Sequence, residues 1–209
     1  MRTLVAGLVF ALGTLSADTI NFDQAKVGTV LPAGWSVAMT HQGGAPKWEI
    51  VKDPTAPSQP NLLAQTSSDK TDGRFPLAIF DRAFPDGELS VKFKPMSGAG
   101  DQAGGLVWRY RDENNYYLAR ASAAEKNVAV YRVQNGQRIP LLAMARHDIP
   151  ANDWSILKVA LRGSRFQVYL DHRRILQGWD NTYTGFGRVG LCTVGDSVAY
   201  FDDFRVYPK

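Results

Sequence analysis

From residue 18 onward apolar side chains recur at every second position in short runs, and no stretch sustains the i, i+3, i+4 spacing of a helix. A period of two sends successive side chains to opposite faces of an extended backbone, which restricts such a chain to strands with a buried face. The runs are Leu89 to Lys94, Gly105 to Arg111, Tyr116 to Ala121, Val128 to Val133, Ile156 to Leu161, Phe166 to Asp171, Arg188 to Thr193 and Val198 to Val206. Turn-forming pairs separate them at Asp86-Gly87, Asn135-Gly136, Gly163-Ser164 and Gly195-Asp196. The chain therefore reads as all-β, a two-sheet antiparallel sandwich.

Residues 1–17 carry a charged start at Arg2, an apolar stretch from Leu4 to Leu15 and small residues at Ser16 and Ala17. That is the pattern of a cleavable export leader, and it falls short of the roughly 20 apolar residues of a membrane span. The expected organisation is a signal peptide over 1–17 and one sandwich domain over 18–209, exported to a periplasm or the cell exterior, with no membrane insertion after cleavage. The segment Asp53 to Thr71, with Pro54, Pro57 and Pro60, reads as a long surface loop of that domain. It is not a linker, because the part before it is too small to bury a core of its own.

The formal charge of +4 is carried by scattered residues with no run of like sign, so a nucleic-acid surface is not expected. Cys192 is the only cysteine. No intrachain disulfide can form, and its apolar surroundings Val189, Gly190 and Leu191 mark it as a buried, inert thiol.

If Asp112 to Asn115 is a hairpin loop, Arg111 lies opposite Tyr116, Arg109 opposite Leu118 and Val107 opposite Arg120. Leu106, Trp108, Tyr110, Tyr117, Ala119 and Ala121 then form the core face, and Arg109, Arg111, Tyr116 and Arg120 the other. Sugar recognition commonly stacks an apolar pyranose face on an aromatic ring and fixes hydroxyls with charged and amide groups. The expected ligand-binding set is therefore Arg109, Arg111, Asp112, Asn115, Tyr116 and Arg120, with Trp179 from the segment after Asp171. A ladder of Arg and Tyr that only stabilises a wet sheet face is the competing reading.

Other chemistry finds little purchase. Gly185-Phe186-Gly187-Arg188-Val189-Gly190 has the letters of a dinucleotide fingerprint but continues as strand instead of opening a helix. The four Glu residues, 49, 88, 113 and 125, lack the Glu-x-Asp-x-x-Glu pattern of laminarinase-type glycosidases. His41, His147 and His172 have no metal-ligand spacing, and no Gly-x-Ser-x-Gly elbow occurs. No cofactor is expected. A structural calcium remains open, since loop carboxylates and carbonyls can hold it without fixed spacing.

Three local patterns carry a family resemblance: Gly28 to Trp35; Gly104 to Asp112 with Asn115, Tyr116 and Tyr117; and Gly187 to Leu191 followed by Phe201 to Phe204. With these the chain resembles the concanavalin A-like lectin and glucanase superfamily, and is similar to the bacterial 3-keto-disaccharide hydrolase domain family of laminin G-like jelly rolls. The resemblance implies a jelly roll whose concave sheet faces a glycan or sugar derivative. Enzymatic members act on oxidised sugars, but their acid, base and metal ligands have no placed counterparts in this sequence. The leading expectation is an exported, non-catalytic carbohydrate-recognition domain. Its rivals are a hydrolase or lyase acting on 3-keto-glycosides and a laminin G-like module that binds proteins.

Overall fold

The computed structural model describes residues 17–209, so the leader read over 1–17 lies, apart from Ala17, outside the described residues. In chain order the strands are β1 (Asp18–Ile20), β2 (Trp35–Thr40), β3 (Trp48–Lys52), β4 (Asn61–Gln65), β5 (Phe75–Phe84), β6 (Gly87–Ser97), β7 (Ala103–Asp112) and β8 (Asn115–Ser122). They continue as β9 (Asn127–Gln134), β10 (Gln137–Pro140), β11 (Ala145–Arg146), β12 (Ser155–Arg162), β13 (Arg165–Leu170), β14 (Arg173–Trp179), β15 (Gly187–Thr193) and β16 (Val198–Pro208). No helix occurs among the described residues.

Two antiparallel sheets face each other in a jelly-roll sandwich. Sheet I has the order β14-β13-β12-β6-β16-β4-β3, with β1 also paired to β16; sheet II has the order β10-β9-β8-β7-β15-β5-β2, with β11 also paired to β9. Between them lies the main core, built on Trp35, Trp48, Phe93, Trp108, Phe201 and Phe204. Trp108 stacks on Tyr117 at 5.5 Å between ring centres and meets Phe166 of the facing sheet at 5.9 Å. Cys192 is fully buried, and desolvation pushes its thiol up to about 12, as expected of an inert core cysteine.

Every run expected to be a strand is one. The Asn135-Gly136 turn has positive φ at both residues, +51° and +79°, the type I′ geometry that joins β9 to β10. The segment Asp53 to Thr71 departs from expectation, because it contains β4, a fully buried strand between β3 and β16. Asn-Leu-Leu-Ala-Gln shows no alternation because both faces are covered: Leu63 enters the main core, while Leu62 and Ala64 pack outside with Ala56, Trp154 and Tyr200.

The β7–β8 register also departs from expectation. Asp112 pairs with Asn115, but the next pair is Trp108 with Tyr117, so β7 carries a bulge between Trp108 and Asp112. Val107 therefore faces Leu118, and Gly105 faces Arg120, in place of the expected Arg109–Leu118 and Val107–Arg120 pairs. Arg109 sits in the bulge at φ +50°, and Gly187 of β15 lies so close that a Cβ there would meet Arg109 Cα at 2.5 Å. The bulge turns Tyr110, expected in the main core, to the outer face of sheet II beside Tyr116, at 5.9 Å between rings.

Arg109 leaves the face expected for it and becomes a buried clamp between the sheets. Its Nη1 donates to the Pro85 carbonyl at 3.0 Å, and its Nη2 donates to the Gly163 carbonyl at 3.3 Å and to the Asp86 carboxylate. Burial raises the Asp86 pKa, but hydrogen bonds from the Gly163 N–H and Arg109, with the Arg109 charge, outweigh it and hold the carboxyl below its ordinary 3.8. Arg109→Ala should lower unfolding free energy by about 3 kcal/mol in urea titrations at pH 7. A lowered carboxylate contributes above its unfolded pKa and loses that contribution as pH falls through the folded one. The gap between wild type and Arg109→Ala should therefore narrow on acidification below 3.8; a variant as stable as wild type, or a gap independent of pH, contradicts the clamp.

Candidate functional site: a rimmed cavity on the outer face of sheet II

A sheet in a two-layer sandwich usually turns polar side chains to water on its free face. Sheet II does not. Its outer face carries Phe75, Leu77, Val107, Leu118, Tyr131 and Cys192 among other residues, all buried. Arginine guanidinium groups cover part of this layer. Arg188 lies over Tyr110 at 4.9 Å, while Arg138 lies over Tyr131 at 4.8 Å and Phe75 at 5.2 Å.

At the end of this face nearest the start of β7, loops rise around a cavity of about 240 Å³. Three come from the β4–β5, β6–β7 and β15–β16 connections, and Arg138 of β10 faces it across the Phe75 ring. Polar side chains, two of them buried, fix these walls. Arg74 is fully buried; its Nε and Nη2 donate to the Gly44 carbonyl at 3.0 and 2.9 Å, its Nη2 to Ser67 Oγ at 3.0 Å, and its Nη1 to the Gly195 carbonyl at 3.3 Å. Asp196 accepts from the N–H groups of Ala99 at 2.8 Å and Gly100 at 3.3 Å. Asp69 accepts from the Thr71 hydroxyl and the N–H groups of Thr71 and Gly44, and these bonds pull its pKa to about 2.

Behind the cavity lies Arg120, only 1 % exposed. It donates to Asn127 Oδ1 at 2.8 Å and to Glu125, and its Nε stands 3.6 Å from Asp101 Oδ1, too far for a hydrogen bond. Asp101 lines the cavity. Desolvation raises its pKa, Arg120 opposes that and Glu125 adds to it, leaving a carboxyl that holds its proton more readily than an ordinary aspartate. Arg138 differs from Arg120 in being exposed, with its guanidinium held by two rings rather than a carboxylate. The cavity thus offers a cation over aromatic surface, the Lys70 side chain, a carboxyl whose pKa burial raises, the Thr71 hydroxyl and loop backbone groups. Such a set suits a polar, uncharged or weakly charged ligand of sugar size.

The residues expected from sequence to form one site are dispersed. Arg120 stands behind the cavity, and Tyr116 shares the outer face but is fully buried, its hydroxyl 2.6 Å from Thr40 Oγ1. Arg109 is the clamp described above. Arg111, Asp112 and Asn115 gather at the opposite end of the β7–β8 hairpin. There Arg111 lies over the Tyr183 ring at 4.7 Å, Asp112 accepts from the Asn114 N–H and Asn115 Nδ2, each at 2.8 Å, and Asn115 Oδ1 accepts from the Tyr183 hydroxyl at 3.0 Å. Trp179 belongs to β14, the edge strand of the other sheet. Arg138 was not among the expected residues. The Asn135-Gly136 turn was the signal that could have found it, because a two-residue type I′ turn puts Arg138 opposite Val133, next to Tyr131 on the same face. Among the described residues no three His, Cys, Asp or Glu side chains converge as a metal cluster.

No protein-family model matches the chain. Among curated proteins, levanase of Bacillus subtilis is 33% identical over 117 residues, which are 56% of this chain. The match spans only 16% of the length of that enzyme. Among solved structures, the carbohydrate binding module CBM66 from Bacillus subtilis superposes with a TM-score of 0.66 at 23% identity, covering 83% of this chain and 96% of the module. The Bacillus licheniformis beta-glucanase superposes with a TM-score of 0.64 at 10% identity, covering 94% of this chain and all of the enzyme chain (100%). At these identities the likeness is one of fold, and it makes the sandwich a concanavalin A-like jelly roll.

Proposed function

We propose that this chain is an exported carbohydrate-recognition domain that holds a sugar in the cavity between Arg138, Asp101 and the β4–β5 loop. The observation that carries this reading is Arg138: an exposed guanidinium set against Phe75 and Tyr131 and facing a cavity that also contains Asp101. Sugars combine apolar ring faces with hydroxyls that both donate and accept. Aromatic surface under a charged donor, opposite a carboxyl acceptor, matches both properties. The names of the similar proteins, a carbohydrate binding module, a levanase and a beta-glucanase, support the class of ligand, and the leader-like residues 1–17 support export.

Hydrolysis of a glycosidic bond has one observation in its favour, the raised pKa of Asp101, which suits a general acid. It requires a second carboxyl group across the scissile bond. Asp196 is already engaged by two backbone N–H groups, and Asp72 is an exposed loop residue, so recognition without turnover is the better-supported reading.

Calorimetry with levan, β-glucan and their oligosaccharides should find a saturable ligand, and Arg138→Ala should weaken it about tenfold or more, as expected for losing a charged hydrogen-bond donor. The same preparations incubated with 3-keto-glucosides should leave them intact by mass spectrometry. Binding untouched by Arg138→Ala, or turnover of a 3-keto-glucoside, would overturn the proposal.

A further inference from the structure

The outer face of sheet I carries a second feature, remote from the cavity and independent of it. Along one end of that sheet three depressions of about 280, 620 and 360 Å³ adjoin. The first and second share Asp86 and Lys209, and the second and third share Arg165 and Gln167, so they form one groove. Phe186, 71% exposed, stands at one end and Trp179, 72% exposed, at the other. Tyr207, 38% exposed, lies beside the middle, paired with Glu88.

The register explains the shape. Trp179 pairs with Arg165 and Arg165 with Arg162, so all three project from the same face in one row across β14, β13 and β12. The next outward row runs Gln177, Gln167, Ala160, Glu88 and Tyr207, and the small Ala160 at its centre leaves the floor low between longer neighbours. The first row continues to Asp86 and Lys209, whose backbones are hydrogen-bonded at 2.9 Å. Four strand spacings separate Trp179 from Lys209, roughly 19 Å, which is a trough for a chain rather than a pocket for one small molecule.

Its charges are unbalanced. Asp86 is engaged by Arg109, and Glu88 by Lys158 and Lys209. Arg162 and Arg165 are left without an ion-pair partner among the described residues, both exposed at the groove. A duplex nucleic acid would bring on the order of ten charges along this length, one per roughly 1.7 Å, which two free guanidinium groups do not answer. A chain with one carboxylate per sugar ring would bring few charges, ring faces for Trp179 and Phe186, and hydroxyls for the paired Gln167 and Gln177 amides.

We infer that this groove binds an anionic polysaccharide, a uronic-acid chain lying across the strands from Phe186 to Trp179. The inference stands apart from the neutral-sugar reading of the cavity. Affinity electrophoresis and calorimetry with polygalacturonate, its fully methyl-esterified form and polyglutamate test it on the mature chain. Polygalacturonate should bind, and both the uncharged ester and the non-sugar polyanion should bind at least about tenfold more weakly, with affinity falling as salt is raised. Trp179→Ala and Arg165→Ala, both at exposed positions, should each weaken polygalacturonate binding about five- to tenfold with unchanged thermal melting. Arg138→Ala should leave it unchanged, which separates this groove from the cavity. Equal binding of polyglutamate, equal binding of the ester, or retention of affinity in both groove variants would overturn the inference.

Discussion

Sheet II is apolar on both faces, and much of the architecture follows from covering the second one. The inner face is covered by sheet I, but among the described residues no third layer of strands or helices lies above Phe75, Leu77, Val107, Leu118 and Cys192 on the outer face. Each such side chain contributes about 1.5–3 kcal/mol only if it is kept from water. The cover comes from long side chains and loops: Arg138 and Arg188 over aromatic rings, and walls fastened by Arg74 and Asp196. A cover made of rods and loops leaves gaps where a sheet or helix would not. The cavity beside Arg138 is such a gap, with an apolar floor and polar walls, which is the combination a sugar site needs.

The bulge in β7 organises the opposite end of the molecule. By taking Arg109 out of the ladder and sending it to Asp86, Pro85 and Gly163, it ties the β5–β6 connection and the β12–β13 turn to sheet II. Those segments form the rim of the groove on sheet I. The strand β7 therefore has the cavity near its start and the clamp behind the groove near its end, two surfaces of different character on one rigid element. The cavity sets the exposed Arg138 and Lys70 beside a carboxyl, Asp101, whose pKa burial raises; the groove has Arg162, Arg165 and exposed rings.

Sequence periodicity reads several strands with one wet face but passes over others, β2, β3 and β14 among them. The strands β6, β12 and β13 alternate cleanly and were legible. The short β4, buried on both faces and flanked by prolines, reads as loop. The hairpin reading placed Leu106, Trp108, Tyr117, Ala119 and Ala121 correctly in the main core. It failed beyond Trp108, because a bulge depends on the left-handed Arg109 and on the close approach of Gly187 from a strand nearly eighty residues away in sequence. The candidate site was legible in kind but not in membership. Arginines and tyrosines do share the outer face, yet Tyr116 is sealed beneath it, Arg109 serves the clamp, and the exposed guanidinium belongs to Arg138. The sugar is not written in local pattern, since side-chain identity around the cavity depends on loops brought together from three connections and on Arg138 of β10.

On the proposed function, a sugar is held in the cavity beside Arg138. A crystal structure of the chain with an oligosaccharide drawn from whichever neutral polymer binds in calorimetry tests it most directly. A sugar ring should lie against the Arg138 and Phe75 side, with a hydroxyl within hydrogen-bond distance of Asp101. Sugar found only elsewhere on the molecule, with the cavity empty, would contradict it.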